Sequence, residues 1–112
     1  MLADVPANAL ILNEEPFGPV VPIQTFTTYE EAVALARHAT LGLSAYAFTK
    51  SLKTAQRLSA DIECGMLGVN SLAVSMAEAP FGGFRDSGFG KEGGIEGIDA
   101  YMQSKFVVEA ID

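Results

Sequence analysis

Two stretches of helical periodicity, each opened by a hydroxyl residue and followed by a short apolar run, constrain this chain more than any other feature. In "TTYEEAVALARHATLG", Thr28 and Glu31 have the spacing of a capping box. Ala32, Val33, Ala36 and Ala39 fall on one helical face, with Leu35 beside it. Gly42 stands where a helix C-cap belongs. Ser51 opens a second helix whose face carries Leu52, Ala55, Leu58 and Ile62, ending near Cys64 and Gly65. Apolar runs flank these helices. Residues 20–26 read as a strand in which Pro22 demands an edge or a bulge. "LSAYAFT", residues 43–49, reads as a buried strand, and "MLGVN", residues 66–70, as a third. The order β-α-β-α-β predicts an α/β fold with a mostly parallel sheet joined by crossover helices. Ile95, Ile98 and Met102 predict a third short helix, and "SKFVVEAI", residues 104–111, a last strand.

A chain of 112 residues corresponds to one domain or a piece of one. It is 49% hydrophobic with a mean hydropathy of +0.26. A short chain leaves much of its surface in water, so this surplus predicts faces meant for other protein. The net charge is −7, from 7 Lys+Arg against 14 Asp+Glu, and the basic residues form no cluster. That balance excludes nucleic acid and anionic membrane as partners. No apolar run reaches the roughly 18 residues of a membrane span, and "MLADVPAN" lacks the pattern of a secretion signal. One cysteine and one histidine exclude a disulfide framework and a cysteine-based zinc site, and no carboxylate-rich metal cluster stands out. A cytoplasmic, reducing compartment is the expectation.

A long irregular segment, residues 71–94, leaves the carboxyl end of the third strand, where open α/β sheets place their ligands. Six of the eleven glycines lie between Gly82 and Gly94, as suits close backbone approach to a ligand or another chain. Gly88, Gly90 and Gly93 spell G-x-G-x-x-G. The dinucleotide fingerprint should follow a strand directly and open a helix, and "PFGGFRDS" before it is no strand, so the phosphate-binding reading fails. Cys64 falls at the end of a predicted helix, where the dipole opposes a thiolate, and reads as structural. His38 lies on the polar side of the first helix and reads as solvated. Tyr29 and Tyr46 have no partner that the sequence can name, and packing is the expectation for both.

In "NEEPFGPVV", Glu14 and Glu15 run into Pro-Phe-Gly-Pro. Composition alone favours plain surface acids, and Phe17 alone favours core. The combination favours a ligand platform. Pro16 and Pro19 stiffen the chain on either side of Phe17-Gly18. A carboxylate held there can accept two hydrogen bonds from a vicinal diol such as a ribose. A ring two residues on can lie against a flat heterocycle.

These stretches, with "GLSAYAFT", "CGMLGVN" and "APFGGFRDSGFGKEGGIEGIDAYMQSKFV", resemble the C-terminal part of the NAD(P)-dependent aldehyde dehydrogenases over roughly residues 4–110. "GVNSLAVSMAEAPFGG" and "EGGIEG" resemble the succinate-semialdehyde branch. The resemblance implies that Glu15 holds the nicotinamide ribose hydroxyls of NAD or NADP and that Phe17 lies beside the nicotinamide. It implies that Asn70 opens the loop lining the substrate tunnel, that Phe81 forms part of its wall, and that Ser75 helps to hold the substrate carboxylate. It divides the chain into residues 1–103, catalytic-domain portion, and residues 104–112, an oligomerisation strand and tail that joins a neighbouring subunit's sheet to give a homo-oligomer. It also implies that the family's nucleophilic cysteine, its water-activating glutamate and its Rossmann-type domain lie upstream, since Cys64 does not occupy the nucleophile's position. Hydride transfer from a thiohemiacetal needs that nucleophile, so no catalytic residue is assigned and the isolated chain is expected to be inactive. The alternative is a non-catalytic oligomerisation or interaction module derived from the same family. A stand-alone nucleotide binder, resting on the glycine fingerprint and Glu15, ranks last.

Overall fold

The structure, a computed structural model, describes residues 1–111. Asp112, the last residue of the expected tail, lies outside them. Helix α1 is a single turn, Leu10–Asn13, whose Asn13 Nδ2 donates back to the Ala9 carbonyl at 2.8 Å. The strand expected over residues 20–26 reduces to one parallel bridge between Leu2 and Pro22. The Leu2 amide donates to Val21 O, and the Ile23 amide to Leu2 O, each at 2.8 Å. Pro22 has no N–H to give, and pairing does not spread from it.

Helix α2, Tyr29–His38, starts as its sequence predicts. Thr28 Oγ1 accepts from the Glu31 amide at 3.2 Å. The return bond is displaced by one residue, for the Glu31 carboxylate accepts from the Thr27 amide at 2.8 Å. The helix ends at His38 with an extended C-cap, Ala39. Gly42 is therefore not a helix cap. It belongs to strand β1, Leu41–Gly42, which pairs antiparallel with β4, Phe84–Arg85. A β-carbon on Gly42 would meet the Glu63 carbonyl at 2.8 Å, so close packing explains this glycine. The open end of α2 is closed from a distance by Arg85. Its Nη1 donates to Ala39 O at 2.8 Å, and its Nη2 lies 3.3 Å from Glu63 Oε2.

Strand β2, Ser44–Ala47, helix α3, Leu52–Asp61, and strand β3, Met66–Val69, form one parallel crossover unit with Ser44 opposite Met66 and Ala47 opposite Val69. Ser51 Oγ caps α3 by accepting from the Thr54 amide at 3.2 Å. Of the single sheet expected from the sequence, this parallel pair is present, and the β1–β4 pair is a separate antiparallel ribbon. β2 alternates exposed and half-buried residues instead of lying fully buried. Tyr29 has partners that the sequence did not reveal. Its hydroxyl donates to Asp61 Oδ2 at 2.7 Å, and the Arg57 guanidinium lies 3.8 Å from its ring centroid. Arg57 also reaches Glu30 Oε1 at 2.9 Å, so one cluster ties α2 to α3. Tyr46 and His38 are exposed.

The third expected helix is a 3-10 helix, Glu96–Tyr101. Residues 102–111 are exposed and carry no assigned helix or strand, so the strand expected over residues 104–111 has no partner within this chain. Among the described residues only Val33, 8% exposed, and Met66, 7% exposed, are buried apolar side chains. The radius of gyration is 19.0 Å, against about 13 Å for a compact chain of similar length.

Candidate functional site

The Pro-Phe-Gly-Pro bend is built from two consecutive three-residue turns. The Gly18 amide donates to Pro16 O at 2.9 Å and the Val20 amide to Gly18 O at 2.8 Å. With Pro19 fixing φ between them, little freedom remains. The bend leaves the Phe17 ring 97% exposed. Glu15 lines an open cavity of about 520 Å³ with Leu43, Ser44, Cys64, Asp86 and Ser87. It makes no ion pair among the described residues, so its carboxylate oxygens remain available as acceptors.

That cavity lies beside Ser44 and Cys64, at the amino ends of β2 and β3. The long segment leaves from the carboxyl end of β3 but returns, through the β1–β4 ribbon, to deliver Asp86 and Ser87 to the opposite end. Ser87 Oγ accepts from the Gly42 amide at 2.8 Å and fixes that return. Sequence reasoning did not single out Asp86, Ser87 or Lys91. The only signal was the turn-prone run Asp86-Ser87-Gly88.

Phe81 forms an antiparallel bridge with Glu92: the Phe81 amide donates to Glu92 O at 2.6 Å and the Glu92 amide to Phe81 O at 2.7 Å. It lines a second cavity, about 720 Å³, with Phe89, Lys91, Gly94 and Tyr101. The two cavities adjoin, since Leu43 and Ser87 line both. Glu15 and Phe81 are thus brought to neighbouring spaces, whereas Phe17, Asn70 and Ser75 line neither. Asn70, at φ +55°, uses both ends of its carboxamide on the Thr49 backbone. Ser75 is exposed in the segment just before a turn in which the Ala79 amide donates to Met76 O at 3.2 Å.

Gly88, Gly90, Gly93 and Gly94 all have positive φ, from +58° to +105°. They shape loop packing, for a β-carbon on Gly93 would meet the Ala79 carbonyl at 2.8 Å. Burial pushes the Cys64 thiol above its ordinary pKa, and its Sγ donates to Met66 O at 3.1 Å. Such a thiol stays protonated and unreactive at neutral pH. Among the described residues no three His, Cys, Asp or Glu side chains converge as metal ligands. No helix among them is long and apolar enough to cross a membrane. What the cleft offers is a carboxylate acceptor beside hydroxyls, chemistry suited to a diol-bearing ligand.

Comparison with known proteins identifies the family. The chain is 47% identical over 107 residues to 4-(hydroxymethyl)benzenesulfonate dehydrogenase TsaD1 of Comamonas testosteroni, covering 96% of this chain and 22% of that protein. It is equally identical, over 107 residues, to a succinate-semialdehyde dehydrogenase of Paenarthrobacter nicotinovorans, covering 96% and 24%. The chain therefore spans about a quarter or less of the length of these relatives. Its fold superposes on the α/β structure of betaine aldehyde dehydrogenase from Staphylococcus aureus in complex with NAD+, with a TM-score of 0.86 and 37% identity, over 92% of this chain and 20% of that one. Residues 1–107 match the aldehyde dehydrogenase family, and the chain belongs to that family.

Proposed function

We propose that this segment acts within an NAD(P)-dependent aldehyde dehydrogenase that oxidises succinate semialdehyde or a similar aldehyde to its acid. Residues 1–103 contribute one wall of the cofactor and substrate sites, and residues 104–112 an oligomerisation strand and tail. The observation that carries this reading is the convergence of Glu15 with Asp86 and Ser87 on one open cleft. The cleft residues fit a ribose, because an unpaired carboxylate held by a rigid bend can receive two hydroxyl hydrogens at once. Bound NAD(P) supplies the hydride acceptor. Glu15 orients the ribose, and the exposed Phe17 ring gives the nicotinamide an apolar face. Asn70 sets the departure of the 71–80 loop, Ser75 donates its hydroxyl to a substrate carboxylate, and Phe81 walls the aldehyde's path. The rest of the dehydrogenase supplies the nucleophile, completes the parallel sheet, and adds the remaining cofactor contacts.

The test is a hybrid enzyme. Residues 1–107 replace the matching segment of a succinate-semialdehyde dehydrogenase, and NAD(P)H formation is followed by absorbance. Activity that depends on Glu15 supports the proposal. The 112-residue chain alone yields no NAD(P)H with succinate semialdehyde, and a rate proportional to its concentration would contradict that part.

A second reading, a non-catalytic oligomerisation module, is favoured by the exposure of residues 102–111 and of Phe89 and Phe106. Light scattering distinguishes it. A clean monomer at high concentration counts against it.

A further inference from the structure

We infer that Lys91 is a positioning residue: its ammonium fixes the Gly82–Gly83 backbone and thereby sets where the adjoining Phe81 ring stands. The inference rests on the reading of Phe81 as a wall of the aldehyde's path. Lys91 Nζ lies 3.1 Å from the Gly82 carbonyl and 3.4 Å from that of Gly83, and 5.0 Å from the Phe84 ring centroid. It forms no ion pair among the described residues. The half-buried cation is therefore compensated by backbone carbonyls and a π-face rather than by a carboxylate.

The same carbonyl also packs closely against Gly65. A β-carbon on Gly65, in the turn between α3 and β3, would overlap Gly82 O. The Gly82 carbonyl thus lies close to both the Gly65 backbone and the Lys91 ammonium. The next residue after Lys91, Glu92, exchanges both amide bonds with Phe81. Two consecutive residues, Lys91 and Glu92, grip the three consecutive residues 81–83. Two of those three are glycines, with no side chain to restrict their dihedrals. Remove the ammonium, and the Gly82–Gly83 backbone keeps its packing against Gly65, Gly90 and Ser87 but loses the one hydrogen-bond donor that its two carbonyls have among the described residues.

The hybrid enzyme described above tests the inference with three variants. Lys91→Met keeps length and apolar stem but deletes the charge, Lys91→Arg restores a cation, and Phe81→Ala removes the wall itself. Lys91→Met raises KM for the aldehyde by about tenfold, the scale of one charge-assisted hydrogen bond, while KM for NAD(P) stays unchanged. Lys91→Arg recovers most of that loss, and Phe81→Ala also raises the aldehyde KM. If Phe81→Ala raises it and Lys91→Met does not, the inference is overturned while the wall reading stands. If Phe81→Ala leaves it unchanged, the wall reading falls and the inference with it. A Lys91→Met enzyme that loses kcat and both KM values together with thermal stability shows a merely structural lysine and also overturns the inference. Amide hydrogen exchange in the full 112-residue chain gives an independent reading. Lys91→Met speeds exchange at the Phe81 and Glu92 amides and Lys91→Arg does not, and unchanged protection with Lys91→Met defeats the inference whatever the hybrid does.

Discussion

Asn70 and Thr49 hold each other by two hydrogen bonds. Asn70 Oδ1 accepts from the Thr49 amide at 2.9 Å, and Asn70 Nδ2 donates to the Thr49 carbonyl at 2.8 Å. The clasp ties the residue after β3 to the chain beyond β2, at the point where the long loop departs. Asn70 also has φ +55°, which asparagine tolerates better than most residues. Asn70→Ala loses both bonds and keeps the unfavourable dihedral, so it costs about 2–3 kcal/mol. Asn70→Gly loses the bonds but relaxes the dihedral and costs about 1 kcal/mol less. Urea unfolding at one protein concentration, followed by circular dichroism, compares the two. Equal losses would assign the whole cost to the clasp.

Gly65→Ala is the sharpest packing probe. Its methyl would overlap the Gly82 carbonyl oxygen, a backbone atom with no rotamer to escape into. Overpacking of this kind costs about 1–3 kcal/mol. The loop detaches before the parallel pair does, so amide exchange quickens at Phe81 and Glu92 while the β2–β3 amides keep their protection. Uniform loss of protection would show that the loop and the β2–β3 pair open as one unit.

Acid should loosen the start of α2. The hydrogen bond from Arg57 holds Glu30 below the ordinary glutamate pKa, and the Thr27 amide does the same for Glu31. A carboxyl with a depressed folded-state pKa contributes stability above its unfolded value of about 4.3. That contribution is lost as pH falls through the lower folded value. Both carboxylates are exposed, so the effect is small. A pH titration of helical ellipticity shows a drop on the acid side of that value, and Glu31→Gln reduces it. An unchanged drop in the variant would place the titration elsewhere.

Glu15→Gln keeps the bend and removes the charge. In the hybrid enzyme it raises KM for NAD(P) by on the order of tenfold, the scale of one charge-assisted hydrogen bond. The aldehyde KM changes little. A variant with wild-type affinity for cofactor would remove Glu15 from the ribose site.

Local chemistry was readable in the sequence, and distant chemistry was not. Thr28 and Ser51 cap their helices as their spacing predicts, because a cap depends on residues within one turn. The family resemblance was carried by short motifs around Glu15, Asn70 and Phe81, and the match over residues 1–107 agrees with it. Residues 20–26 have strand composition but little strand pairing, because pairing needs a partner that composition does not supply. Gly42 looked like a cap because it follows a helical face. The Glu63 carbonyl that requires a glycine there is 21 residues away in sequence. The same holds for Arg85, whose guanidinium closes the end of α2 from 46 residues away. The position of the Glu15 cleft, at the amino ends of β2 and β3, follows from the loop's return and could not be read from its departure.

With Val33 and Met66 the only buried apolar side chains among the described residues, the folded form of this chain is open to stabilisation by whatever covers its exposed rings. A polypeptide that binds only the folded form, covering Phe89 and Phe106, stabilises it with the logarithm of its concentration over its dissociation constant. Where such a partner is present, a melting temperature taken on this chain becomes a coordinate on a binding isotherm, which shifts with dilution and with company.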